Sequence, residues 1–225
     1  VVKFEGHFHG LNDYLLYGVD GGPVLGEKQR DGTIVPVAGS AGLPGEALGS
    51  LIRIVEFNDF DAIAALFDRE GSDIAAVIME PVAFNIGCVA PQDGFLAHVR
   101  DLCDRWNSVL IFDEVLTGFR LGPGGAQERF GVTPDIACFG KALGCGIAAA
   151  AVAGRAEFMD SLSPVGDVEM AGTNTGRHMT VRGILAALKG MYDMQAWDRL
   201  EAANTRFVTA CNALFDRYGV PAHVE

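Results

Sequence analysis

Two continuous apolar runs of strand length, Ile74-Ala75-Ala76-Val77-Ile78-Met79 and Val109-Leu110-Ile111-Phe112, constrain the fold of this chain more than any other feature. A strand wetted on one face alternates apolar and polar residues. A run that is apolar at every position needs cover on both faces, as strands inside a parallel sheet have. Between the runs, Phe95, Leu96, Val99, Leu102, Cys103 and Trp106 recur at helical spacing. Strand, helix and strand of these lengths make a βαβ unit, so the expected class is α/β, a mostly parallel sheet flanked by helices. Upstream, Asn58-Asp59 reads as the cap of a helix with Phe60, Ile63, Ala64, Leu66 and Phe67 on its inner face. Residues 18–49 read as loop, with turn signals at Gly21-Gly22-Pro23, Asp31-Gly32 and Pro44-Gly45. Short strands are expected at 136–139 and 148–153. From Thr180 the pattern is helical, with Ile184, Leu185, Leu188, Met191 and Tyr192 on one face, then Trp197, Leu200, Phe207, Cys211 and Leu214.

Composition narrows the function classes. An apolar content of 49% over 225 residues excludes a disordered chain and allows a substantial core. A net charge of −12 argues against nucleic acid, whose phosphates need clustered Lys and Arg. The alanine- and glycine-rich stretch 144–154 is too short to span a bilayer, and no signal segment opens the chain, so no membrane partner is expected. Five cysteines without CxxC spacing fit neither a disulfide framework nor a zinc cluster and point to a reducing, cytoplasmic compartment. Val1 in place of a methionine, and a C-terminus without an evident closing element, read as an interior segment of a longer protein.

In open α/β sheets, ligands collect beyond the carboxyl ends of the strands. Glu80-Pro81, Asp113-Glu114 and Lys141 stand at three successive strand ends. Lys141 is one of only four lysines, and its neighbours in Phe139-Gly140-Lys141-Ala142-Leu143-Gly144 are small or apolar. Such surroundings disfavour the ammonium and favour a nucleophilic amine able to form an imine with an aldehyde. The alternative is a surface lysine in a glycine-rich loop. Asp113 could hold a pyridinium nitrogen protonated, or serve as an ordinary cap. Phe8-His9-Gly10 joins a stacking face to a titratable ring. His7 and His9 as a metal pair lack a third ligand of suitable spacing, so no metal is expected. Gly172-Thr173-Asn174-Thr175-Gly176, before a helix starting near Arg177, suits a phosphate or a plain N-cap.

Taken together, the block Ile111-Phe112-Asp113-Glu114-Val115-Leu116-Thr117-Gly118-Phe119-Arg120, then Gly125-Ala126-Gln127, Gly131-Val132-Thr133-Pro134-Asp135 and Gly140-Lys141, closely resembles the class III pyridoxal-phosphate aminotransferases of fold type I. The likeness runs from Phe4-Glu5-Gly6-His7-Phe8-His9-Gly10 to the helix after Gly172-Thr173. It leans to the glutamate-1-semialdehyde aminomutase branch through Asn85, where dual-substrate aminotransferases commonly carry a glutamate. Phe84, where aminomutases usually have glycine, and Thr175-Gly176-Arg177-His178, where the family has Ser-Gly-Asn-Pro, depart from the pattern.

The resemblance implies pyridoxal 5'-phosphate as cofactor, with Lys141 in imine linkage to it and shuttling protons. It implies Asp113 at the pyridine nitrogen, Val115 and Phe8 on the two ring faces, and His9 in the cofactor site. Asn85 would stand near the cofactor hydroxyl or the substrate. Thr173 would reach the phosphate bound by a neighbouring subunit, which implies a homodimer with shared active sites. A small amino, keto or semialdehyde compound would be the substrate. The alternatives are an ω-amino-acid or amine transaminase with a keto-acid acceptor, or a catalytically silent relative acting as an assembly subunit. The implied organisation is a cofactor domain over residues 1–185 lacking its N-terminal part, and connecting helices at 186–225 leading into a small α+β domain.

Overall fold

The computed structural model describes residues 1–19, 26–43 and 46–224. The turn signals at Gly21-Gly22-Pro23 and Pro44-Gly45 lie outside the described residues. In chain order the elements are β1 (Val2–Phe4), β2 (Thr33–Ile34), α1 (Glu46–Gly49), β3 (Arg53–Val55), α2 (Phe60–Glu70), β4 (Ala76–Met79), α3 (Phe95–Trp106), β5 (Val109–Glu114), α4 (Gly125–Phe130), β6 (Ile136–Phe139), β7 (Ala151–Gly154), α5 (Ala156–Met159), α6 (His178–Asp193) and α7 (Ala196–Tyr218). The strands form one sheet in the order β2-β3-β1-β4-β5-β6-β7. The five inner strands run parallel, and the edge strands β2 and β7 are antiparallel to their neighbours.

Local chemistry explains the central βαβ unit. Asp59 caps α2, its carboxylate accepting the Ala62 N–H at 2.9 Å. Ala62, Ile63, Leu66 and Phe67 are the buried residues of α2, and Phe95, Leu96, Val99, Leu102 and Cys103 those of α3. These pack on Val2, Phe4, Val77, Met79, Leu110 and Phe112 in one continuous core. Because strand side chains alternate, Lys3, Ile78, Ile111 and Asp113 are turned to the other face of the sheet.

Several expectations are corrected. The first run pairs only from Ala76, because Gly71–Asp73 form a tight 3-10 turn and Ile74 serves as a buried anchor below it. β5 is not covered on both faces: Leu110, Phe112 and Glu114 are buried while Val109, Ile111 and Asp113 are half-buried. The last strand begins at Ala151 rather than 148, and all four of its residues are exposed. Two inner strands, β1 and β3, occur where no strand was expected. No residue of α6 or α7 with a described side chain is buried, and Leu185 and Phe207 stand 61% and 60% exposed.

Candidate functional site

The carboxyl ends of β4, β5 and β6 bring the expected residues to one edge of the sheet. Asp113 pairs in register with Cys138 and Glu114 with Phe139, so Lys141, two residues past β6, stands beyond the end of β5. Lys141 opens a single 3-10 turn with φ of +41°, a conformation that costs a non-glycine residue about 1 kcal/mol and recurs at functional sites. The side chain is exposed and makes no hydrogen bond or ion pair among the described residues.

Asp113 is held from two sides. Its Oδ2 lies 2.8 Å from His9 Nδ1, and its Oδ1 accepts the Val115 N–H at 3.1 Å. His9 is nearly closed off, with a side chain 1% exposed against 12% for Asp113, and its Nε2 is buried without a hydrogen-bond partner among the described residues. The Cys138 thiol is pushed up by burial, and further by the Asp113 charge beside it. Val115 is half-buried and lies against Gly140, while Phe8 is 39% exposed. Thr173 lies in an exposed turn before α6, whose N-cap is Arg177, and no contact joins it to Asp113 or Lys141 among the described residues.

A second carboxylate organises the loops around this edge. Glu80 is buried; its Oε1 accepts the Phe8 N–H at 2.8 Å and the Asn85 side-chain amide at 2.7 Å, and its Oε2 accepts the Phe84 N–H at 3.1 Å. Its own N–H donates to His7 Nδ1 at 3.0 Å, which leaves the His7 proton on Nε2. Burial, with the charges of His9 and Lys3 added, holds His7 well below the usual imidazole range. Gly6, at φ +77°, lets this loop pass against Ile86, where a Cβ would overlap the isoleucine side chain. Glu114 works on the opposite face: it accepts from Thr117 Oγ1 at 2.9 Å, Ala126 N–H at 2.6 Å and Gln127 Nε2 at 2.8 Å, folding the segment after β5 back on itself.

The sequence singles out Lys141, Asp113, His9 and Asn85 as candidates, and it does not show the hydrogen-bonding parts that Lys3, His7, Glu80 and Glu114 play around them. The signal available was a charged or titratable residue set directly against apolar strand residues, as in Val2-Lys3-Phe4. Among the described residues, no group of His, Cys, Asp and Glu is arranged to hold a metal ion. No described helix is long and apolar enough to cross a membrane.

A parallel sheet with antiparallel edges, carrying a lysine and a hydrogen-bonded aspartate at neighbouring strand ends, defines a fold type I α/β architecture of the pyridoxal-phosphate enzymes. The family model described as aminotransferase class-III matches residues 1–225, and the chain belongs to that family. It is 40% identical over 221 residues to a glutamate-1-semialdehyde 2,1-aminomutase of Syntrophobacter fumaroxidans, covering 98% of this chain and 49% of the relative. It is 43% identical over 201 residues to the Pelotomaculum thermopropionicum aminomutase of the same name, covering 89% of this chain and 44% of the relative. The chain thus spans about half the length of the curated relatives it matches. Among solved structures it is similar to an ω-transaminase from Sphaerobacter thermophilus, with TM-score 0.91, 28% identity, and cover of 100% of this chain and 51% of that one. It is also similar to a glutamate-1-semialdehyde aminomutase from Pseudomonas aeruginosa, with TM-score 0.74, 28% identity, and cover of 100% and 49%.

Proposed function

We propose that the chain is the cofactor-holding part of a pyridoxal-phosphate enzyme that converts glutamate 1-semialdehyde to 5-aminolevulinate, a step of tetrapyrrole synthesis. The observation that carries this reading is the 40% identity, over nearly the whole chain, to a relative named for that reaction. The residues fit the cofactor: Lys141 has a free amine among the described residues, Asp113 has a carboxylate fixed by His9 and Val115, and an exposed aromatic face is available at Phe8. When bound, pyridoxal phosphate supplies an electron-poor ring that stabilises negative charge at the carbon losing a proton. Lys141 would hold the cofactor covalently and, once its amine is released, would take a proton from or return one to the substrate carbon attached to the shared nitrogen. Asp113 keeps a proton at the ring nitrogen, and His9 fixes the carboxylate that does so. Val115 and Phe8 confine the ring. Asn85, already donating to Glu80, presents its carbonyl to the cofactor hydroxyl or the substrate.

Thr173 is assigned to the phosphate of a second copy, making a homodimer with shared sites; its exposed turn leaves the hydroxyl available for that role. Residues 1–185 form the cofactor domain and 186–225 lead into a smaller one. The free cysteines accord with a reducing cytoplasm.

The second reading, an ω-amino-acid or amine transaminase, is favoured by backbone shape: at the same 28% identity the TM-score is 0.91 to the ω-transaminase and 0.74 to the aminomutase. One assay separates them. The full-length protein loaded with pyridoxal phosphate is expected to turn over glutamate 1-semialdehyde without any added acceptor. Strict dependence on pyruvate or 2-oxoglutarate overturns the aminomutase reading in favour of the transaminase. No turnover under either condition leaves the silent assembly subunit.

A further inference from the structure

One buried charge near the site has no chemical role in the reading above. Lys3 is 0% exposed in the middle of an inner strand, and lysine is almost never fully buried without partners. Val2 and Phe4 enter the core under α2 and α3, so alternation turns Lys3 to the face that carries Asp113. Its Nζ donates to the carbonyls of His7 at 2.9 Å, Leu15 at 3.2 Å and Tyr17, which uses all three of its protons. No carboxylate bonds to it among the described residues, although Glu5 and Glu80 lie near enough to favour its charge. An apolar side chain would fill the same place at lower desolvation cost, so stability alone does not account for an ammonium here.

The three carbonyls lie toward the two ends of residues 7–17, the segment that presents Phe8 and His9. The peptide unit between His7 and Phe8 is gripped from both sides: its C=O by Lys3 and its N–H by Glu80 Oε1. A planar peptide held at both polar atoms has a fixed orientation. That orientation sets where the Phe8 ring and the His9 imidazole leave the backbone.

We propose that Lys3 is a positioning residue of the cofactor site, its ammonium clamping residues 7–17 so that His9 meets Asp113 and Phe8 stands beside it. The proposal rests on the assignment of Asp113 and Lys141 to the cofactor.

The test uses full-length protein loaded with pyridoxal phosphate and compares Lys3→Met with Lys3→Arg. Visible circular dichroism per bound cofactor reports how rigidly the ring is held, since the free cofactor is achiral. In Lys3→Met this signal is expected to fall by at least half. Turnover is expected to drop about 10- to 100-fold with KM within about threefold, as for a misplaced catalytic group. Amide exchange should rise in residues 7–17 while β4 and β5 stay protected. Lys3→Arg, which keeps the charge and its donors, should regain most of the dichroism. Unchanged dichroism and turnover in Lys3→Met overturn the proposal. So does loss of protection across β4 and β5, which would make Lys3 a general stabiliser. If Lys3→Met does not accumulate, Lys3→Gln is read by the same criteria. Lys141→Ala and Asp113→Asn are run alongside: if both keep the long-wavelength cofactor band and full turnover, the site assignment has failed, independently of Lys3.

Discussion

The face of the sheet under α2 and α3 and the face that carries Lys3, Ile78, Ile111 and Asp113 are filled by different kinds of contact. The first is closed by aromatic and aliphatic side chains, with Phe95 packed edge-on against Phe4 and Phe57 at 5.7 and 5.3 Å between ring centroids. The second holds a lysine caged by carbonyls, an aspartate shared between His9 and Val115, and a strand edge that ends in four exposed residues of β7. Dispersion and the hydrophobic effect are non-directional and add up over area. Hydrogen bonds to buried charges are directional and fix single atoms. The first face therefore carries the larger share of apolar burial, while the second combines a smaller apolar cluster of Tyr17, Ile34, Ile52 and Ile54 with directional bonds that set geometry.

If that division holds, activity and stability should separate by face. Lys141→Ala should lower turnover at least about 10⁴-fold, some 5 kcal/mol of barrier, and change unfolding by less than about 1 kcal/mol. Steady-state kinetics and denaturant melts check both halves of that statement. On the closed face, Phe95→Ala should cost about 3–5 kcal/mol of stability, read by denaturation, with the cofactor absorbance of the folded fraction unchanged.

Lys3 sharpens the contrast through pH. Burial lowers its pKa from 10.5 to about 8, with Glu5 and Glu80 opposing that shift. Between these values the unfolded chain keeps a proton that the folded chain has released. Unfolding free energy should therefore rise with pH across the window, by about 3 kcal/mol for this group. The difference between wild type and Lys3→Met, measured from pH 8 to 10.5, isolates it; a flat difference would break the assignment of a buried charge. Asp113→Asn should retain the cofactor and lose about 100-fold in turnover, under 3 kcal/mol of barrier, because the amide cannot hold the pyridinium charge. Phe207→Ser, on the exposed side of α7, should shift stability by less than about 0.5 kcal/mol. A loss well beyond that would mean the apolar face is covered in the whole protein.

The closed face was the legible one. Continuous apolar runs announce β4 and β5, the Asp59 cap announces α2, and the limits of β6 match the expected residues 136–139. α6 and α7 read as amphipathic in the same way as α2 and α3, yet have no buried residues among their described side chains. Periodicity reports that a helix has an apolar face; it carries no information about what that face meets. β1 escaped notice because its alternation of apolar, charged and apolar residues is only three residues long, too short to signal a strand, and its register comes from β3 and β4 rather than from its own pattern. In the site, residue types marked Lys141 and Asp113. The grip of Lys3 and Glu80 on main-chain atoms of residues 7–17 and 84 was invisible, since any residue type offers the same N–H and C=O.

Asp113 and Glu114 are consecutive, and pleating sends them to opposite sides of β5. A single-residue insertion or deletion upstream within that strand would exchange their sides. The acid that ties down Thr117, Ala126 and Gln127 would then turn to the face that carries Lys3, and the acid that meets His9 would turn to the face under α2 and α3. A substitution along β5 disturbs one side chain on one face, whereas an indel there rewrites both addresses at once. The length of that strand, as much as its residue types, decides which acid faces His9.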